Sequence, residues 1–106
     1  MRHQIAEMAR QATVARTYVR DVMARWQAGA DVGGPGMQAE IAMAKNTAVA
    51  ACDHVVDRAV QLHGGMGYMH GEEVERHYRD ARILGIGGGA TEIMNEVVAS
   101  RLGLDA

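Results

Sequence analysis

Two glycine clusters and the charged segment between them are the residues best suited to chemistry in this 106-residue chain. The first cluster, Gly64 to Gly71, has the sequence GGMGYMHG, and the second, Gly85 to Gly89, has GIGGG. Glycine permits positive φ angles and a close approach of the backbone to a ligand. An amphipathic run follows the second cluster, and a helix that begins there would direct unpaired N–H groups towards an anionic group. The second cluster indicates a backbone-based binding surface or, equally well, a plain break between helices.

The second cluster matches neither of two familiar phosphate-binding motifs. A dinucleotide-binding fingerprint needs a preceding strand and a different glycine spacing from that of Gly85 to Gly89. A Walker loop needs a Lys after its glycines, and none follows here. The sequence therefore leaves the ligand of a glycine-based site open.

Histidines and potential nucleophiles give weaker signals. His63, His70 and His77 are seven residues apart, but a glycine-rich loop interrupts them, so they do not share one helix face. Surface or capping positions explain the histidines better than a metal site does. No hydroxyl or thiol lies on a strand-turn-helix elbow. Cys52, the one cysteine, lies in an Ala-rich helical run and is expected to pack as a small apolar residue.

The charged segment is interpreted as a solvated helix rather than as a pair of catalytic carboxylates. Glu72 and Arg76 are four residues apart, and so are Glu75 and Arg79, which is the spacing of ion pairs along a helix surface. Such pairs stabilise an isolated helix by only about 0.2–0.5 kcal/mol each. We therefore expect them to be structural.

The elements that must position these residues are predicted to be four helices. Apolar residues recur at intervals of three and four in 2–28 and again in 37–63, and a turn rich in glycine separates the two runs. Shorter helices are predicted over 72–84 and 91–102, with Thr91 as the N-cap of the last one. No stretch alternates with period two, so no strand is predicted.

The fold class predicted from this pattern is all-α, a helical bundle of two long antiparallel helices and two short C-terminal helices in one domain over residues 1–106. Two long amphipathic helices leave one flank of each apolar stripe uncovered, so the bundle is incomplete. The short helices, another copy or further sequence must supply the missing surface. The residues expected on the buried faces are Ile5, Met8, Ala12, Ala15, Val19, Val22 and Trp26, then Met37, Ile41, Ala44, Ala48, Ala51, Val55, Ala59 and Leu62, and finally Ile93, Met94, Val97, Val98 and Leu102.

Composition and charge argue against several classes of protein. The net charge is −2, whereas a nucleic-acid binder would be expected to carry a basic stripe. A single cysteine excludes an internal disulfide. The chain has no recognisable signal peptide and no apolar run of 18 residues, so a cytoplasmic location without a membrane span is expected.

Three blocks in the second half of the chain carry a family resemblance. They are AVQLHGGMGY at residues 59–68, VERHYRDAR at residues 74–82 and IGGGATEIM at residues 86–94. In order and spacing they resemble the runs A-V-Q-x-x-G-G-x-G-Y, P-V-E-R-x-x-R-D-A-R and I-Y-E-G-T-x-E-I of the acyl-CoA dehydrogenase family, flavoproteins that desaturate acyl-CoA thioesters. Upstream, IAEM at 5–8 and AMAK at 42–45 resemble the helices that precede these blocks. The resemblance therefore covers nearly the whole chain.

The resemblance implies the all-α C-terminal domain of a dimeric or tetrameric enzyme with FAD at a subunit interface. The implied cofactor-binding residues are Gln61, Leu62, His63, Gly64 and Gly65, on the adenine-diphosphate side of an FAD held mainly by the neighbouring subunit, and Ala90, Thr91 and Glu92 in the second glycine loop. Gly89 would line the acyl-CoA site. The resemblance further implies α-proton removal, hydride transfer from the β-carbon to FAD, and an electron-transfer flavoprotein as partner.

Two departures from the family pattern bear on catalysis. Most members carry a Glu in the second loop that removes the α-proton, and Gly88 stands at that position here. Glycine has no titratable group, so no catalytic residue is assigned in this chain. A glycine at this position resembles the long-chain and isovaleryl types, whose base lies on an upstream helix. Ala90 replaces a Thr, which removes one hydroxyl from the implied flavin contact.

The function predicted from the sequence is that of the C-terminal domain of an FAD-dependent acyl-CoA dehydrogenase. The isolated chain is expected to be inactive, because it contains neither the base nor most of the flavin site. Two alternatives stay open. One is a stand-alone helical oligomerisation module without catalysis, and the other is a module that binds CoA or a nucleotide through its glycine loops without redox chemistry.

Overall fold

The computed structural model describes residues 1–31 and 33–104 of the chain. Its α-helices are α1 (Arg2–Gln27), α2 (Pro35–His63), α3 (Glu73–Ala81) and α4 (Thr91–Arg101). Two short 3-10 helices, Gly64–Tyr68 and Arg82–Gly85, follow α2 and α3 respectively. The described residues form no strand, and the prediction of an all-α fold is confirmed.

The ends of the helices follow from proline and glycine chemistry. α2 begins two residues before the predicted start, because Pro35 occupies its first turn, where the missing N–H has no helical partner to lose. Gly29, just beyond the end of α1, has a φ of 93° that glycine adopts without strain. The predicted helix over 72–84 is α-helical only over Glu73–Ala81 and then tightens into 3-10 geometry.

The prediction of Thr91 as an N-cap is wrong by one residue. Ala90 has an extended ψ of 154° and precedes the helix, and its carbonyl accepts the hydrogen bond of the Met94 N–H. Thr91 is therefore the first helical residue, and α4 begins without a side-chain cap. The sequence suggested Thr91 because of its hydroxyl, but the backbone turn after Gly89 sets the start instead.

Helix α2 is the central element, because each of the other helices packs against it. Val22, late in α1, packs with Met37 and Ala44, early in α2. Ala15, earlier in α1, lines a groove with Ala51, further along α2, so the two long helices run antiparallel. Six residues of α2 are buried and four of them are alanines, which let the neighbouring backbones approach closely.

Part of the predicted buried face is exposed. Trp26 is 55% exposed and Ile41 40%, and both line an open groove of about 390 Å³ between α1 and α2. Also exposed are Ile5, Ala12, Ile93 and Leu102. The reason is that α3 and α4 pack mainly on α2 rather than on α1. Within the described residues, the short helices therefore cover part of α2 but leave the groove between α1 and α2 open.

A polar cluster joins the two long helices. The Tyr18 hydroxyl donates a hydrogen bond to the Glu40 carboxylate, and Arg25 Nη2 lies 3.2 Å from the same carboxylate and 2.9 Å from Asp21. Burial, and then the hydrogen bond to Glu40, raises the pKa of Tyr18 to about 12. The hydrogen bonds from Tyr18 and Arg25 hold the pKa of Glu40 below its ordinary value.

We expect Glu40→Gln to lower the stability of the chain at neutral pH and to make that stability less sensitive to acid. A carboxyl whose pKa falls on folding stabilises the native state above its unfolded pKa of about 4.3. That contribution is lost as the pH falls through the folded value. The difference in unfolding midpoint between the native chain and Glu40→Gln should therefore shrink from about pH 7 to about pH 3, as followed by circular dichroism.

The control for this prediction is Glu96→Gln, which changes an exposed carboxylate that makes no ion pair among the described residues. Its midpoint should stay close to that of the native chain throughout. A Glu40→Gln difference that stayed constant with pH would contradict the stabilising role of the Glu40 charge.

Candidate functional site

The first group of predicted cofactor-binding residues lies where α2 ends. Gln61, Leu62 and His63 form the last turn of α2, and Gly64 and Gly65 open the 3-10 helix that follows. Gly64 ends α2 with a φ of 65°, and its N–H bonds to the carbonyl of Gln61. Leu62 is half-buried, whereas the other four residues are exposed.

The glycines in this first group face open space, and one further glycine does not. A Cβ added at Gly64 or Gly65 would meet no atom within 4 Å. A Cβ added at Gly67 would lie 2.6 Å from the carbonyl oxygen of Val60. Gly67 is buried and lets the 3-10 turn fold back onto the end of α2. The surface at Gly64 and Gly65 is thus free for atoms from outside the chain.

The second group lies where α4 begins. Ala90 is the N-cap residue, and Thr91 and Glu92 are the first two residues of the helix. The N–H groups of a first helical turn have no partner inside the helix. The backbone of this turn therefore offers donors to an oxygen atom that lies just beyond the N-terminus of α4.

The glycines before α4 take conformations that favour glycine. Gly88 and Gly89 have φ angles of 65° and 103°. A Cβ at Gly88 would meet nothing within 4 Å, whereas one at Gly89 would lie 2.6 Å from Met94 Cε. Gly88 therefore stands in open space, and Gly89 rests against the Met94 side chain.

Lys45 on α2 holds the second glycine segment from one side. Its ammonium group donates hydrogen bonds to the carbonyl oxygens of Leu84 at 3.2 Å and Gly87 at 3.1 Å, and to that of Gly89. Lys45 is absent from the site residues predicted from the sequence. The available signal was that Lys45 is the single Lys in a chain with ten Arg residues.

Asn46, the next residue of α2, donates hydrogen bonds to two residues of α4. Its Nδ2 donates to the carbonyl oxygen of Thr91 at 3.2 Å and to Asn95 Oδ1 at 2.9 Å. These contacts join residues 45 and 49 positions apart in the chain, so no local pattern could reveal them. Lys45 and Asn46 together fix the second segment on α2.

The structure does not bring the two predicted groups into one pocket. Asn46, which contacts Thr91, lies on the same helix as Gln61 and fifteen residues before it. At about 1.5 Å per residue, the two points are about 22 Å apart along α2. A ligand that touched both groups would have to extend over this distance, and otherwise two ligands contact the domain at separate places.

A groove of about 710 Å³, lined by both apolar and charged side chains, adjoins the first group. Its lining residues are Asp57, Val60, Gln61, Gly67, Tyr68, Glu75, Tyr78, Arg79 and Arg82. Arg79 Nε donates to Glu75 Oε1 at 3.0 Å, and this hydrogen bond raises the pKa of Arg79. Glu75 Oε2 is buried and has no hydrogen-bond partner among the described residues. The groove therefore offers charged and hydroxyl groups to a polar ligand or a neighbouring polypeptide.

The ion pairs of the charged segment are partly as predicted. The pair of Glu75 with Arg79 is confirmed. The predicted pair of Glu72 with Arg76 is wrong, because Glu72 precedes α3 and Arg76 Nη2 instead lies 4.0 Å from Glu73. The observed pairs join side chains of α3 to one another, as the interpretation of a solvated helix requires.

The histidines His63 and His77 contact their own helices, and Cys52 lies apart from the two groups. His63 Nδ1 lies 2.7 Å from the Ala59 carbonyl oxygen, and His77 Nε2 lies 3.2 Å from Glu73. Cys52 lines a groove between α1 and α2, and burial raises the pKa of its thiol, which lowers the fraction of reactive thiolate.

Among residues 1–31 and 33–104, no group of three or more His, Cys, Asp or Glu side chains could hold a metal ion. In the same residues, no helix has the length and hydropathy for crossing a membrane.

Comparison with known proteins gives one consistent family. Residues 1–103 match the family profile described as acyl-CoA dehydrogenase, C-terminal domain. A crystal structure described as a probable acyl-CoA dehydrogenase from Mycobacterium abscessus is 67% identical, with a TM-score of 0.89 over 96% of this chain and 26% of that one.

Two curated relatives match a shorter stretch of the chain. The mitochondrial short-chain specific acyl-CoA dehydrogenase of Bos taurus is 49% identical over 63 residues, which are 59% of this chain and 15% of the relative. The caffeyl-CoA reductase-Etf complex subunit CarC of Acetobacterium woodii is 40% identical over 63 residues, which are 59% of this chain and 17% of the relative. The matched regions thus make up about a quarter or less of the length of each of these relatives and of the Mycobacterium abscessus structure.

We expect Gly67→Ala to destabilise the chain strongly and Gly65→Ala to change its stability little. The added methyl group at Gly67 would collide with the Val60 backbone, which cannot rotate away as a side chain can. Overpacking of this kind typically destabilises by about 1–3 kcal/mol, whereas the space at Gly65 is open. Thermal unfolding of both variants would measure the difference, and equal midpoints would contradict the close approach at Gly67.

Proposed function

We propose that this chain, which belongs to the acyl-CoA dehydrogenase family as the match over residues 1–103 shows, acts as the C-terminal domain of an FAD-dependent enzyme. In the whole enzyme the chain would contribute contacts to FAD and a packing surface for other parts of the assembly. The enzyme would introduce an α,β double bond into acyl-CoA thioesters. The observation that carries this proposal is that both implied FAD-contacting segments are glycine turns with backbone exposed to the outside.

The residues of both segments fit FAD chemically. Open space beside Gly64 and Gly65 admits a bulky ligand to the end of α2. The N–H groups at the start of α4, at Thr91 and Glu92, are suitable donors for flavin or phosphate oxygens. When bound, FAD would accept the hydride from the β-carbon of the thioester, whereas this chain would bind and orient.

The separation of the two segments supports a shared cofactor arrangement. About 22 Å of α2 lies between them at 1.5 Å per residue, so a ligand contact at the middle of the helix and one at its C-terminal end belong to more than one ligand or to a long one. We propose that Gln61 to Gly65 contact an FAD held mainly by a neighbouring subunit. The exposed apolar groove that contains Trp26 and Ile41 supports packing against another part of the assembly.

The catalytic base is proposed to lie outside this chain. Gly88 occupies the position at which most members of the family carry the Glu base, and it has no titratable group. This feature supports membership of the long-chain or isovaleryl type, in which the base lies upstream. The relative in Acetobacterium woodii is named as a subunit of an Etf complex, which supports an electron-transfer flavoprotein as the electron acceptor.

The proposal can be tested with a chimera in which residues 1–103 replace the matching region of the Mycobacterium abscessus protein. We expect the purified chimera to show flavin absorption and to oxidise an acyl-CoA substrate with an artificial electron acceptor. The isolated 106-residue chain should bind no FAD in calorimetric titration, because the proposal has FAD held mainly by other parts of the assembly. A folded chimera without flavin, or tight CoA binding by the isolated chain, would contradict the proposal.

A matched pair of variants tests the contact at the first glycine segment. In the chimera, Gly65→Trp should lower the FAD content, because the indole would fill the space that the cofactor is proposed to use. Gly36→Trp is the control, since an added side chain there also meets no atom within 4 Å but lies at the other end of α2. Equal FAD content in the two variants would argue against a flavin contact at Gly65.

A further inference from the structure

We propose that Lys45 is a positioning residue, whose ammonium group orients the backbone amides of the second glycine segment towards the ligand of this site. Three carbonyl oxygens, those of Leu84, Gly87 and Gly89, accept hydrogen bonds from Lys45 Nζ. The identity of the ligand rests on the proposed function, but the orientation of the loop can be tested without it.

The three N–H donors of the Lys45 ammonium group match these three carbonyl acceptors. An ammonium group has three protons and no acceptor, and it meets three oxygens from one short segment. In the described part of the chain, no carboxylate lies within ion-pair distance of Lys45. The charge is therefore balanced locally by backbone dipoles, which ties its position to the shape of the loop.

The direction of the carbonyls fixes the direction of the amides. In a trans peptide the C=O of one residue and the N–H of the next point in opposite directions, and the structure contains no cis peptide in the described residues. The N–H groups of Gly88 and Ala90 must therefore point away from the Lys45 ammonium. Neither of them donates a backbone hydrogen bond within the described residues, so both remain available as donors.

The segment needs an external support to keep this shape. Three of its residues, Gly87, Gly88 and Gly89, have no side chain that could pack and fix the backbone. A cation on the carbonyl side of a peptide also polarises it, which strengthens the N–H on the other side as a donor. Lys45 would thus set both the direction and the strength of the amides that meet the ligand.

The first test uses the 106-residue chain without flavin or substrate. We expect Lys45→Met, which keeps most of the stem and removes the ammonium, to shift or broaden the ¹H–¹⁵N signals of Gly88 and Ala90. Helix content by circular dichroism should stay unchanged. Arg58→Met is the control, because it removes a cation of the same helix whose one ion pair among the described residues is with the adjacent Asp57. Loop signals that are the same in Lys45→Met as in the native chain would overturn the proposal.

A chemical rescue separates the ammonium from the packing of the stem. In a Cys52→Ala background, Lys45→Cys can be alkylated with bromoethylamine, which rebuilds a side chain of nearly the same length with a terminal ammonium. The Gly88 and Ala90 signals should return to their native positions after alkylation. Failure of the alkylated protein to restore them would contradict the proposal, even if Lys45→Met had lost its fold altogether.

The second test asks whether the orientation matters for turnover in the chimera. We expect Lys45→Met to lower kcat by roughly tenfold to a hundredfold, with a smaller change in KM, and alkylation of the Cys variant to restore it. If the loop signals respond as expected but kcat does not, the proposed link between Lys45 and the ligand is wrong. If the chimera binds no flavin, the proposed function fails, while the signals of the isolated chain still decide the loop orientation.

Discussion

Close packing on α2 is the constraint on which the rest of this structure depends. Four of the six buried residues of this helix are alanines, so its neighbours are held near its backbone rather than by large interlocking side chains. The two glycine segments take their positions from the register of α2. One follows directly where the helix ends at His63, and the other is tied to Lys45 and Asn46 near its middle. Any ligand that uses these segments therefore meets a surface whose spacing is set by one rigid element.

Under the proposed function, the chain would contribute backbone groups and packing to the enzyme rather than reactive side chains. Gly88 has no group that could take a proton, and Cys52 has a raised pKa and lies in a groove between helices. The exposed Trp26 and Ile41 leave an apolar face that α3 and α4 do not cover. These features fit a domain that completes a site and an interface together with other polypeptide, as membership of the acyl-CoA dehydrogenase family suggests.

Helices could be predicted from the sequence because their signals are local. The three-to-four spacing of apolar residues located α1 and α2, and glycines located the breaks between helices. The start of α4 was misplaced by one residue, since the cap preference of Thr91 is weaker than the turn imposed after Gly89. Burial was predicted less well, because periodicity identifies an apolar face without showing which neighbour covers it. Trp26 shows this limit most clearly.

For the candidate site too, local features could be predicted from the sequence and long-range contacts could not. The glycines and the family resemblance indicated both segments, but contacts between residues about 40 or more positions apart, such as those of Lys45, follow only from the fold.

A crystal structure of the flavin-loaded chimera would show most directly whether both segments contact the cofactor. We expect atoms of Gly64 or Gly65, and of Thr91 or Glu92, to lie within about 4 Å of FAD. A structure in which either segment faces solvent or protein alone, far from any flavin, would contradict it.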